Sequence, residues 1–116
     1  MSISIDATRT FKPGDRVQAT VSFDRPFDNL NSVVVHFAGP QPASGNQFDL
    51  VANPTTGSAY LASGLIGQEC KAGAYKVTQI MVNLQSGQEI YSDPDPDFTL
   101  QVAPKDLPKF KDIALQ

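Results

Sequence analysis

Apolar residues in this chain fall at every second position, in short runs broken by glycine, proline and asparagine. That alternation limits the folds open to it. In DRVQATVSFD, residues 15–24, Val17, Ala19, Val21 and Phe23 share one parity, and Arg16, Gln18, Thr20 and Ser22 share the other. Successive side chains of a strand point to opposite faces, so such a run is a strand buried on one side. The three- and four-residue spacing of an amphipathic helix is nearly absent before residue 105.

The same reading carries along the chain. In SVVVHFAG, 32–39, Val33, Val35 and Phe37 share a face. Val34, His36 and Ala38 share the other, as suits a central strand with His36 on its less buried side. QFDLVA, 47–52, alternates through Phe48, Leu50 and Ala52. SAYLASGLI, 58–66, sets Ala59, Leu61 and Leu65 against Tyr60, Ala62 and Ile66. AYKVTQIMVNL, 74–84, switches parity: Tyr75 and Val77 are odd, Ile80, Val82 and Leu84 even. One extra residue re-aims every later side chain, so a bulge is predicted near Thr78 or Gln79. QSGQ, 85–88, reads as a hairpin turn with Gly87 at positive φ. QEIYSD and DFTLQV follow, with Ile90, Phe98, Leu100 and Val102 on one parity.

FKPGDR, GPQPASGN, NPTTG and GQECKAG are turn material between these runs. About seven short strands at roughly 10-residue spacing predict an all-β fold, an antiparallel β-sandwich. A length of 116 residues predicts one domain over 1–103, followed by a C-terminal tail or linker over 104–116. In that tail Leu107, Phe110, Ile113 and Ala114 follow helical spacing. The tail reads either as a disordered end or linker, or as a stripe whose Phe110, Ile113 and Leu115 pack on the sandwich or on a neighbouring chain.

Charge narrows the partners. Net charge is -3, and Lys105, Lys109 and Lys111 are the only basic grouping. Nucleic acid is therefore not an expected partner. No run of 18 apolar residues occurs, so no membrane insertion is expected. MSISIDATR lacks the basic region and apolar core of a signal peptide. The single cysteine, Cys70, excludes an internal disulfide and reads as a buried thiol.

Catalytic patterns are missing: no GxSxG, HExxH, CxxC pair or glycine-rich phosphate loop. With one His and one Cys, an enzyme would rest on carboxylates, Asp24 with Asp28 or Asp49 with Glu69. No cofactor is expected. SDPDPDF, 92–98, raises the question of a cation site at Asp93, Asp95 and Asp97. Calcium takes about six to eight oxygens. An EF-hand loop counted from Asp93 would need Gly at 98 and Glu at 104, where Phe98 and Pro104 stand. In an extended chain, alternate carboxylates recur every ~6.6 Å, too far apart to close on one ion. The prolines instead remove N–H donors, so the stretch reads as the place where a ladder stops.

SISIDATRTFKPGDRVQATVSFD resembles the first two strands of bacterial immunoglobulin-like domains, with their Pro-Gly-Asp turn before an alternating strand. GAYKVTQIMVNLQSGQEIYSD…FTLQV resembles their last hairpin. The resemblance implies an immunoglobulin-like sandwich with Tyr75 as a tyrosine corner. Val77 occupies the place of an antibody domain's second cysteine, and no Trp stands where the core Trp would, which sets the chain outside the antibody class. Such domains serve as spacers, adhesive modules or appendages, so the implied setting is a bacterial secreted or cell-surface protein. The function expected is a non-catalytic module for binding, spacing or assembly with a protein or surface partner. The alternatives are a carbohydrate-binding accessory domain and a small carboxylate-dependent enzyme. For sugar, the candidate platforms are Tyr60 and Tyr91.

Overall fold

A computed structural model describes residues 2–4, 10–39, 45–55, 57–105 and 111–114. Eight strands follow one another: β1 (Ser2–Ser4), β2 (Arg16–Ser22), β3 (Leu30–Ala38), β4 (Gln47–Ala52), β5 (Ala59–Leu65), β6 (Gly73–Leu84), β7 (Gly87–Ser92) and β8 (Thr99–Val102). No helix occurs among the described residues. Every strand pairing is antiparallel, in the order β1-β2-β5-β4-β3-β6-β7, with β8 on β6 beside β7.

Two separate sheets are expected from the strand pattern, whereas hydrogen bonding here runs through one curled sheet. The join is at β4 and β5, through the single register pair Val51 and Ser63. Gly64 makes that approach possible: a Cβ there would stand 2.3 Å from the Asp49 carbonyl oxygen. The chain near Phe11 crosses to the far end of the sheet. Phe11 N–H donates to the Gln101 carbonyl at 3.2 Å, and Ala103 N–H donates to Phe11 at 2.7 Å. β1 lies on β2, so the N-terminal segment touches both ends of the curl. The inner face thus closes on itself. Val17, Val21, Val35, Phe37, Leu50, Tyr60, Val77 and Ile80 form one solvent-free cluster.

The parity switch in β6 is resolved as predicted. His36 pairs with Gln79 and Phe37 with Val77, leaving Thr78 as the extra residue of a bulge. Tyr75 and Val77 before it, and Ile80 and Val82 after it, all reach zero exposure. The hairpin that follows pairs Leu84 with Gly87 around Gln85 and Ser86. Gly87 has φ 146° and open space where a Cβ would go, so backbone conformation alone asks for glycine there.

One parity in β7 differs from expectation. Ile80 faces Tyr91 and Met81 faces Ile90. Directly opposed residues share a face, so Tyr91 points inward and Ile90 outward, at 51% exposure. The expected common face of Ile90 with Leu100 and Val102 fails because the chain between them leaves the ladder. Ser92 pairs with Gln79, and Thr99 with Lys76. Residues 93–98 therefore loop out opposite only Val77 and Thr78. Asp93 N–H donates to the Thr78 carbonyl at 2.9 Å, and Asp93 takes φ 45°. Phe98 turns back towards the core, its ring 6.3 Å from Phe37. SDPDPDF is thus an excursion between two strands that share one neighbour.

Tyr75 is a corner residue. Its hydroxyl donates to the Lys71 carbonyl at 2.7 Å, while Lys71 N–H donates to Asn46 Oδ1 at 3.2 Å. Burial, and then the neighbouring Cys70 thiol, push the Tyr75 hydroxyl up from its ordinary value of 10.0 to about 12. Tyr75→Phe should cost about 1 kcal/mol in denaturant melts, the net worth of one hydrogen bond. The sign of the pH effect follows from proton counts. Above pH 10 the unfolded chain loses this proton while the folded one keeps it until about 12. Stability conferred by Tyr75 is therefore full below pH 10 and falls between 10 and 12, by up to about 1.4 kcal/mol per pH unit. The advantage of wild type over Tyr75→Phe should shrink and then reverse as pH rises across that window; a constant difference would exclude this coupling.

Beyond β8, Lys111, Asp112, Ile113 and Ala114 are non-helical and exposed, with Ile113 at 77%. No helix forms at these four residues and Ile113 does not pack on the sheet, as suits a segment too short to hold a helix alone. Leu107, Phe110 and Leu115 lie outside the described residues.

Candidate binding site

The aromatic residues that follow β2 do not continue its strand. Phe23 N–H donates to the Ser58 carbonyl at 2.9 Å, and the chain then turns through Asp24, Arg25 and Pro26. Phe27 comes back against the same spot. Its N–H donates to the Tyr60 hydroxyl at 3.3 Å. Phe23 packs edge-on to Phe27 at 4.8 Å and to Tyr60 at 5.9 Å, and lies 5.6 Å from Tyr91 at 50°. β7 contributes Tyr91 because Tyr91 shares the inward face of Ile80.

These groups bound a cleft of about 130 Å³ lined by Phe23, Asp24, Arg25, Pro26, Phe27 and Tyr91. Its base is aromatic and partly buried; Asp24, Arg25 and Pro26 on the rim are exposed. A cavity of roughly 150 Å³ accepts one benzene-sized ring. At about 130 Å³ the cleft is no larger than such a cavity, so at most one ring can contact it, with a carboxylate acceptor and a guanidinium donor at its edge.

Tyr91 is placed at this cleft, as one of the two candidate platforms. Tyr60 is not a platform: it has zero exposure and supports the cleft from beneath. Packing under Phe23 and Phe27 displaced it from the surface. Phe23 takes the inward side that the alternation through Val17, Ala19 and Val21 assigns it, whereas Phe27 escapes a strand-by-strand reading, since it follows a turn. Their signal is FDRPF itself, two Phe around Asp-Arg-Pro, with Phe27 fitting no alternation.

The remaining candidates are dispersed. Asp93 and Asp97 are exposed and Asp95 is half-buried on the loop. Among the described residues, no group of three or more acidic, His or Cys side chains comes together as a metal site. His36 lies on the outer face, its Nδ1 2.5 Å from Asp49 Oδ1. Asp49 is thus engaged by His36 rather than Glu69. Asp24 stands at the cleft beside Arg25. Cys70 is buried, its thiol donating to the Gly45 carbonyl at 3.2 Å. Among the described residues, no Ser, Thr or Cys side chain bonds to the His36 ring.

No protein family, characterised relative or solved structure matches the chain.

Proposed function

We propose that this chain is a non-catalytic, immunoglobulin-like binding module of a bacterial secreted or cell-surface protein, and that it holds a sugar ring at the Phe23–Phe27–Tyr91 cleft. The cleft carries this reading. A pyranose presents C–H groups on its faces and hydroxyls around its edge. Aromatic rings cover the first, and a paired acceptor and donor, Asp24 and Arg25, serve the second. An apolar ring would use the base but leave the rim idle. The volume limits direct contact in the cleft to one ring.

Features of the fold support the immunoglobulin-like part. The first segment divides between β2 and β8. The hydroxyl of Tyr75 bonds back to the chain four residues upstream, as in a tyrosine corner. The thin β4–β5 join leaves β1-β2-β5 and β4-β3-β6-β7 as two leaves over one core. The non-catalytic part is supported by the partners of the one His and the one Cys: His36 is paired with Asp49 on the outer sheet face, while the Cys70 thiol donates to the Gly45 carbonyl.

The test is a glycan array followed by calorimetry on the hits. Saturable binding is expected, falling at least tenfold in Tyr91→Ala and in Asp24→Asn. An array without a hit removes the sugar, and binding unchanged in both variants moves the site elsewhere.

A further inference from the structure

We infer that the ligand of the Phe23–Phe27–Tyr91 cleft presents a cation, the protonated amine of an amino sugar; the sugar part rests on the function proposed above. The disposition of the rings points there. Phe27 stands at 79° to Phe23, and Tyr91 at 50° to it. Rings tilted in this way make a cup, not one flat platform. A pyranose lies flat on only one such ring, so the other two border whatever group the sugar carries. All three side chains are partly buried. The face of an aromatic ring is negative and attracts a cation, most strongly where water is displaced.

Charge around the cup has the matching sign. Asp24 lines it. Asp28 follows Phe27 directly in the chain and is exposed. Glu89 shares a face of β7 with Tyr91, because Glu89 is opposite the inward Val82 and Tyr91 opposite the inward Ile80. Alternate residues of a strand recur every ~6.6 Å, so Glu89 acts on the cleft within the Debye length of about 8 Å. Against these carboxylates, Arg25 is the one basic residue in FDRPFD and GQEIYS. Among the described residues, no ion pair or side-chain hydrogen bond engages Asp24, Asp28 or Glu89.

Unspent carboxylates beside aromatic faces favour an ammonium group and oppose a carboxylate, sulfate or phosphate. Asp24 is the one of the three that lines the cleft, so it is the residue that selects the amine. Arg25 is left to donate to a ring hydroxyl. An N-acetyl group would remove the charge and add bulk to a cleft of about 130 Å³. The free amine is therefore the form recognised.

Calorimetric titration of the whole chain with glucosamine, N-acetylglucosamine and glucose tests this, at about pH 6, where an amine of this kind is charged. Glucosamine should bind at least about fivefold more tightly than either neutral sugar, as one cation on aromatic faces provides. Raising salt from about 0.01 M to about 1 M should reduce that preference, since the Debye length falls from ~30 Å to ~3 Å. In Asp24→Asn the preference should collapse, with glucosamine binding weakened more than glucose binding. Tetramethylammonium and its neutral isostere tert-butanol separate the cation from the sugar. The Phe23, Phe27 and Tyr91 ring signals in NMR should move with tetramethylammonium at concentrations where tert-butanol leaves them still. Glucose that binds as tightly as glucosamine overturns the cation and leaves the sugar standing. Ring shifts with tetramethylammonium but binding of no sugar overturn the sugar and leave the cation standing. A preference that survives in Asp24→Asn overturns the selection by Asp24.

Discussion

Deletion of Thr78 is expected to abolish the stable fold, although the residue adds no core side chain of its own. Thr78 is the extra residue between Val77 and Gln79 where β6 runs along β3. Without it, β6 has a single parity. Either Tyr75 and Val77 or Ile80 and Val82 must then turn outward, and all four have zero exposure now. Exposing two such side chains forfeits roughly 3–6 kcal/mol at about 1.5–3 kcal/mol each. A domain of this kind has roughly 5–15 kcal/mol in total. The deletion should give a chain with no cooperative melt, or one with its midpoint drastically lowered. Removing Pro94 and Asp95 together is the control, since both lie in the looped-out stretch beyond the ladder. That variant should melt close to wild type. A Thr78 deletion that melts like the control would show that the bulge does not set the register.

Phe37→Ala should be the most destabilising single substitution in the aromatic half of the core. Phe37 has zero exposure and stacks on Phe48 at 4.8 Å with 7° between the rings. It also meets Phe98, which returns the acidic loop to the sheet. Removing a buried Phe costs about 3–5 kcal/mol through lost transfer energy and the cavity left behind. Phe98→Ala should cost markedly less, because Phe98 is only half-buried. The two changes are in contact, so their sum should exceed the double variant's loss. Chemical denaturation of the three variants measures this. A Phe37→Ala loss below about 1 kcal/mol would mean that the site collapses without a cavity, contrary to the low end of such substitutions.

The contrast between these two regions shows how much of the candidate cleft could be read in advance. Tyr91 could be named from its type alone, as an aromatic in a strand beside a loop. Of its partners, Phe23 could be read as inward from the alternation of β2, but Phe27 could not, because it comes from a connection whose path depends on Tyr60 beneath it. Tyr60 and Tyr91 look alike in sequence, yet one is the floor and the other the wall. Only packing distinguishes them.

What the sequence by itself determined is the local geometry. Period-two alternation dictates strands, Pro-Gly and Ser-Gly dictate turns, and the odd-to-even switch between Val77 and Ile80 dictates a bulge, because each of these rules acts within a few residues. The prolines of SDPDPDF dictate a break in the ladder for the same reason. What only the tertiary structure decided is which strands meet. Gly64 lets β5 reach β4, so one sheet curls where separate sheets are expected from the pattern. The facing of Ile90 and the pairing of His36 with Asp49 both follow from cross-strand register. Register joins residues tens of positions apart, and a short-range pattern specifies only which face each strand buries, not which neighbour lies beside it.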